Sequence, residues 1–183
     1  MTLREARKAA VDLLQLYSFN RRCSEPFNLT LCSLVDPRQE STTPNQLTLP
    51  LIVYESLINN RSAPMPCEYT PQSVSDVFPL EQVVYLSPEG EEELETLDED
   101  TVYVIGVFVD KECQPGISAE RARQLGVRSA RFPVRVRLFW DGNEKPLHLE
   151  QCLRVLHHVR NGRSWREAIS RVNTNFVVET DDS

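Results

Sequence analysis

Three features of this sequence predict an α/β fold on a mainly parallel sheet. Strand-like and helix-like patterns alternate beyond residue 80. The strand-like runs VVYLS (83–87) and VYVIGVFVD (102–110) are apolar without polar alternation, and a helical pattern near Ala119 to Leu125 separates the second run from VRSARFPV (127–134). Continuous Val/Ile/Phe runs are what strands buried on both faces look like, and a helical crossover delivers the chain to a parallel neighbour.

The elements follow in order. Thr2 and Glu5 have capping-box spacing, and Ala6, Ala10, Leu13, Leu14 and Tyr17 fall on one face of the helix they would start. Phe27, Leu29 and Leu31 alternate with Asn28, Thr30 and Cys32, the period of a half-buried strand. A polar loop spans Asp36 to Gln46. Leu47 to Asn60 fits a helix with Pro50 in its first turn, although LPLIVY would also serve as a strand. Pro64, Pro66 and Pro71 make residues 62–76 irregular, with room for a short strand at Glu68 to Thr70. Leu149, Cys152, Leu153 and Leu156 mark a helix ending near Gly162. A final short helix carries Trp165 and Ile169, capped by Ser164 with Glu167.

With 183 residues and 40% hydrophobic content, the chain suits one well-buried core and a single domain over 1–183, ending in a disordered acidic tail at 181–183. The capping pattern at the second residue is that of a fragment cut at a helix start, with a targeting or RNA-binding region upstream. Five scattered cysteines (Cys23, Cys32, Cys67, Cys113, Cys152), with no Cys-x-x-Cys pair, read as reduced and mostly buried thiols. A net charge of −7 argues against a free-standing nucleic-acid binder, whose affinity comes from neutralising phosphates.

In a parallel sheet, ligands sit beyond the carboxyl ends of the strands. Asp110 ends the most hydrophobic run and Gly106 interrupts it, so the pair suits close backbone approach and a working carboxylate. The same pattern also fits an Asp that starts a turn and a Gly that relieves packing. No dinucleotide fingerprint, Walker loop, nucleophile elbow or His-rich metal cluster is present. His157 and His158 read as helix-edge residues. The run EEELETLDED, Glu91 to Asp100, reads as a solvated helix face and not as a metal site, so no metal is expected.

The segment from DVFPLEQVVYLS through ARFPV resembles the core of the tRNA purine-9 N1-methyltransferases of the SPOUT class, in the order YLS, IG-x-x-VDK, G-x-S-x-x-x-A, x-P-[LV] and W-x-E-A. LREARKAAVDLLQLYSFNRRCSEPFNLTLCSL, KPLHLEQ and NGRSWREAI are similar in particular to the branch of that family found in mitochondrial ribonuclease P. The resemblance implies a SPOUT methyltransferase fold with helices on both sheet faces and a C-terminal trefoil knot, its loops supplied by ARFPV and KPLHL. It implies S-adenosyl-L-methionine as cofactor, bordered by Leu86, Gly106, Val107, Lys111, Pro115, Phe132, Pro133, Val134, Lys145, Leu147 and Leu149. It further implies Asp110 as general base and Arg135, Arg137, Arg163 and Arg166 as contacts to RNA. The implied activity is methylation of N1 of adenine or guanine at position 9 of mitochondrial tRNA, in the matrix. The implied partners are precursor tRNA, a short-chain dehydrogenase tetramer and the protein-only nuclease subunit of ribonuclease P, with the domain itself monomeric. Two departures stand out: RVNTNFVVETDDS replaces the basic cluster that relatives carry after W-x-E-A, and Val107 stands where many have a second glycine.

Overall fold

The computed structural model describes residues 3–33, 68–107, 116–134, 136–140, 143–145, 147–172 and 176–178. The chain divides into two compact units: residues 1–79 with 107–113, and residues 80–106 with 114–183.

In the first unit, α1 (Leu3–Asn20) buries Ala9, Ala10, Leu13, Leu16, Tyr17 and Asn20. These positions recur every three or four residues, so they share the face that the apolar stripe predicts. Leu14, placed on that stripe from sequence, is half-buried, and Leu16 is the deeper residue. The alternating run 27–32 yields only a two-residue strand, β1 (Thr30–Leu31), paired in parallel with β2 (Glu68–Tyr69). The short strand expected near Glu68 is therefore present. Residues 74–76, expected to be irregular, belong to a four-residue helix, α2 (Val74–Val77). Its start is fixed by Asp76, whose Oδ2 accepts from the Ser73 amide at 3.0 Å and the Ser73 hydroxyl at 2.6 Å. The loop at 36–46 and the helix at 47–60 lie outside the described residues.

The second unit is built on a four-stranded parallel sheet in the order β4–β6–β3–β5. Its strands are β3 (Val83–Leu86), β4 (Glu92–Glu93), β5 (Val102–Ile105) and β6 (Arg128–Arg131). β3 is central: Val83, Val84 and Tyr85 are buried, and it is flanked on one side by β5 and on the other by β6. The run containing β5 was expected to be buried on both faces. Instead β5 is the edge of the sheet among the described strands, and all four of its residues are half-buried. α3 (Ile117–Leu125) is the crossover between β5 and β6 and packs on β3 and β6 through Ala119 and Ala122. It stops at Gly126, whose φ of +68° is open to glycine and strained for other residues.

A second, antiparallel sheet, which the sequence reading did not anticipate, joins β7 (Val136–Trp140), β8 (Asn143–Lys145) and β9 (Phe176–Val178) in the order β8–β7–β9. α4 (Leu149–Arg160) and α5 (Trp165–Val172) pack against each other. α4 buries Leu149, Leu153, Val155 and Leu156, as its periodicity predicts. The expected cap of α5 is present: Glu167 Oε2 accepts from the Ser164 amide at 3.1 Å and its hydroxyl at 2.9 Å, while the Glu167 amide donates to Ser164 Oγ at 3.3 Å.

The acidic run is not a helix face. A helix here would stack Glu91 on Glu95 and Glu95 on Glu99, like charges four apart that repel. The chain instead forms β4 beside β6, where Glu92 faces Arg128 at 2.6 Å and Glu93 faces Arg131 at 2.8 Å. The pair with Arg128 holds the Glu92 carboxyl below the usual carboxylate range. Cys23, Cys32 and Cys152 are free thiols in residues of intermediate exposure; the Cys152 thiol itself is desolvated, as expected, whereas Cys23 and Cys32 are less buried. Cys67 and Cys113 lie outside the described residues.

Candidate functional site

The register of the parallel sheet decides where a ligand can sit. Leu86 pairs with Ile105 on one side and Ala130 on the other, so three adjacent strands end together. Gly106 follows Ile105 directly, and Phe132 lies two residues past Ala130. Leu86, Gly106 and Phe132, far apart in sequence, thus lie at or just beyond the carboxyl ends of β3, β5 and β6, where open α/β sheets bind ligands. All three are half-buried.

Behind this end of the sheet, Val155, Ala168 and Ile169 form a fully buried knot of apolar side chains on α4 and α5. Phe132, Val134, Leu147 and Trp165 pack against it. Three residues expected at the cofactor therefore share one support. Pro133 lies between two of them and is half-buried; Leu149 is 9% exposed in the first turn of α4, outside that cluster. Val107 is half-buried and belongs to the first unit. Lys145 is in β8. Asp110, Lys111 and Pro115 lie outside the described residues.

The turn Ser87–Gly90 after β3 was not singled out in the sequence, yet it and the start of the acidic run are tied closely to β6. The Ser87 amide donates to the Ala130 carbonyl at 2.9 Å, the Glu91 amide to Ser129 Oγ at 3.2 Å, and the Leu94 amide to the Arg131 carbonyl at 2.9 Å. Gly90 is buried against the backbone of Ala130 and Arg131; a Cβ there would lie 2.3 Å from the Ala130 carbonyl carbon. Arg131 Nη1 donates to the Gly90 carbonyl at 2.8 Å. The one signal in the sequence was the glycine itself, after Ser87-Pro88-Glu89.

Arginines are frequent in α4, α5 and the turn between them. From Arg154 to Arg171 the sequence holds five arginines and one glutamate, in a chain of net charge −7. Arg163 and Arg166 are exposed. Burial of the ring, together with the positive charges of Arg163, His157, Arg171 and Arg154, holds the His158 pKa below its ordinary value. Arg137 is in β7, and Arg135 lies outside the described residues.

This parallel α/β sheet is the fold of the solved Trm10 structures with which the chain superposes. The family model for tRNA (guanine(9)-N(1))-methyltransferase TRM10/TRM10A matches residues 1–173, and the chain belongs to that family. It is 30% identical to mouse tRNA methyltransferase 10 homolog B over 178 residues, which is 93% of this chain and 52% of that protein. It is 29% identical to human tRNA methyltransferase 10 homolog C, covering 97% of this chain and 42% of that protein. It is also 29% identical to the Drosophila melanogaster mitochondrial ribonuclease P protein 1 homolog, covering 99% and 39%. The chain thus spans about half or less of the length of these relatives. Among solved structures, full-length spTrm10 in complex with SAH superposes with a TM-score of 0.71 at 24% identity, covering 94% of this chain and 87% of that one. A dual-specific Trm10 from Thermococcus kodakaraensis gives 0.62 at 19% identity, covering 94% and 92%. The fold is the one that the sequence resemblance implied. Of the two segments that the resemblance assigns to a trefoil knot, ARFPV and KPLHL, Pro146 lies outside the described residues.

Proposed function

We propose that this chain is the catalytic domain of an S-adenosyl-L-methionine-dependent methyltransferase acting on N1 of guanine or adenine at position 9 of tRNA, within mitochondrial ribonuclease P. The observation that carries this reading is the convergence of Leu86, Gly106 and Phe132 at one end of the parallel sheet of a TRM10-family chain. A half-buried, mostly apolar rim at the strand ends fits a nucleoside with a sulfonium-bearing tail better than it fits a metal or a polyphosphate. Leu86, Gly106, Val107, Lys111, Pro115, Phe132, Pro133, Val134, Lys145, Leu147 and Leu149 would hold the cofactor, which supplies an activated methyl group.

The chain's own contribution is positioning and one proton transfer. N1 of adenine has a free lone pair, whereas N1 of guanine carries a proton that must be removed as the methyl arrives. Asp110, four residues past Gly106, is assigned as the base that takes it. Both atoms lie on a base edge that must leave the tRNA stack, so the domain must recognise shape and phosphates more than sequence. Arg163 and Arg166, with Arg135 and Arg137, are assigned to the phosphates. The partners fitting this reading are mitochondrial precursor tRNA, a dehydrogenase tetramer and a protein-only nuclease subunit, in the mitochondrial matrix.

A second reading rests on the net charge and on the acidic sequence that replaces the basic cluster after α5: a platform subunit that holds precursor tRNA without methylating it. Calorimetric titration with S-adenosyl-L-methionine, followed by methylation assays on guanine-9 and adenine-9 tRNAs with the full-length protein, separates the two. Cofactor binding with methyl transfer supports the enzyme; tRNA binding without either supports the platform.

A further inference from the structure

Trp165 occupies a place that its role as a helix-starting residue does not require. Its ring lies 5.1 Å from that of Phe132, tilted by 36°, and it packs on the same cluster as Phe132, Val134 and Leu147. Its indole N–H donates to the Glu95 carbonyl at 2.8 Å. Glu95 ends the segment that begins at Gly90 and is fastened to β6 at Ser129 and Arg131. Arg131 grips the same segment from its other side, through the Gly90 carbonyl and the Glu93 carboxylate at 2.8 Å each. Leu94, 8% exposed, anchors the middle. Residues 90–95 are therefore a strap fixed at both ends, by Arg131 and by Trp165. The residue that follows Arg131 and the ring that touches Trp165 are one and the same: Phe132.

We propose that Trp165 is a positioning residue for the cofactor loop Phe132–Pro133–Val134, setting the Phe132 ring through the strap 90–95 and not by touching the cofactor. This rests on the reading above, in which that loop borders S-adenosyl-L-methionine. An indole is needed because one side chain must pack on an aromatic ring and also donate a hydrogen bond from its far edge. Phenylalanine can do only the first.

The test uses the full-length protein and S-adenosylhomocysteine. Trp165→Phe keeps the ring and loses the N–H, so Kd should rise about 2- to 10-fold, the equivalent of one hydrogen bond. KM for S-adenosyl-L-methionine should rise with it while kcat stays unchanged. Arg131→Met releases the strap from the other end and should act in the same direction. Leu13→Ala is the control: it removes a buried side chain of α1, outside the cluster under Phe132, and should lower the melting temperature and leave Kd unchanged. With 5-fluorotryptophan incorporated, the resonance missing from Trp165→Phe is that of Trp165, and it should shift when S-adenosylhomocysteine is added. Wild-type affinity in both Trp165→Phe and Arg131→Met, with a resonance that does not move, overturns the assignment. Failure of the wild type to bind S-adenosylhomocysteine overturns the cofactor reading itself, which is a different result.

Discussion

Asn20 and Phe27 exchange two hydrogen bonds: the Asn20 amide donates to the Phe27 carbonyl at 2.8 Å, and the Phe27 amide donates to Asn20 Oδ1 at 2.9 Å. Asn20 is the last residue of α1 and only 4% exposed, so this one side chain satisfies both backbone groups of the returning chain. Asn20→Ala should lower stability by about 2 kcal/mol in urea denaturation, because partly buried donors and acceptors lose their partner. Asn20→Asp, which keeps the acceptor and loses the donor, should be destabilising too. Unchanged midpoints for both would show that water replaces the amide at no cost.

Gly90→Ala is expected to be among the most damaging single substitutions in the second unit. The new methyl would meet the Ala130 and Arg131 backbone, which cannot move without disturbing β6. A loss of several kcal/mol is expected, about the size of severe overpacking. Thermal melts should show it, whereas Gly162→Ala, with nothing within 4 Å of its Cβ and a φ of +81°, should cost only about 1 kcal/mol of backbone strain.

The Cys152 thiol is desolvated and its pKa is pushed up to about 12. Its Sγ lies 3.9 Å from the Leu147 carbonyl. Because the folded-state pKa is raised above the ordinary value of 9.0, the fold favours the neutral thiol. This contribution to stability is fully present below about pH 9 and is lost as the pH rises from there toward 12. At pH 8, site-mapped alkylation by iodoacetamide should be much slower at Cys152 than at Cys23, and the difference should vanish in denaturant. Equal native rates would contradict the burial of the thiol.

If Asp110 removes the guanine proton, Asp110→Asn in the full-length protein should slow methylation of guanine-9 substrates by about 10²- to 10⁴-fold and affect adenine-9 substrates less. Single-turnover assays on the two tRNAs measure the ratio. Equal loss on both purines would make Asp110 an orienting group, and no loss would remove it from the chemistry.

Replacing Arg163 and Arg166 with Ala should weaken tRNA binding by the full-length protein similarly for all tRNA sequences, and reduce the salt dependence by about one phosphate contact per arginine. Filter binding across a salt series reads both. An unchanged slope would place the RNA elsewhere.

Much of the fold is legible in local pattern. The face of α1, the core strand β3, the crossover α3 and the caps of α4 and α5 all follow from side chains within a few residues of each other. The acidic run is not legible in this way, because what decides its conformation is Arg128 and Arg131, nearly forty positions later, and a window of helical period cannot see them. The hairpin of β7 and β8 was overlooked although Asp141-Gly142, a favoured two-residue hairpin turn, stands between them in the sequence. At the site, Leu86, Gly106 and Phe132 were named by resemblance, and the register of three strands puts them at one end of the sheet. Trp165 was noted only as part of a helix because its partner carbonyl, at Glu95, is 70 residues away.

The parallel pairing of β4 with β6 has a consequence for how the molecule is made. Glu91 and Ser129 meet across 38 residues of chain, and that pairing requires α3 to have returned β6 to the sheet. Loop closure over such distances is slow compared with forming a helix or a local turn. During synthesis, the segment from Gly90 onward therefore waits, acidic and unpaired, while β5 and α3 are still emerging. Its seven carboxylates keep it hydrated during that wait, and the sheet edge that it finally covers is β6, whose Arg128 and Arg131 gain their Glu92 and Glu93 partners only when it docks.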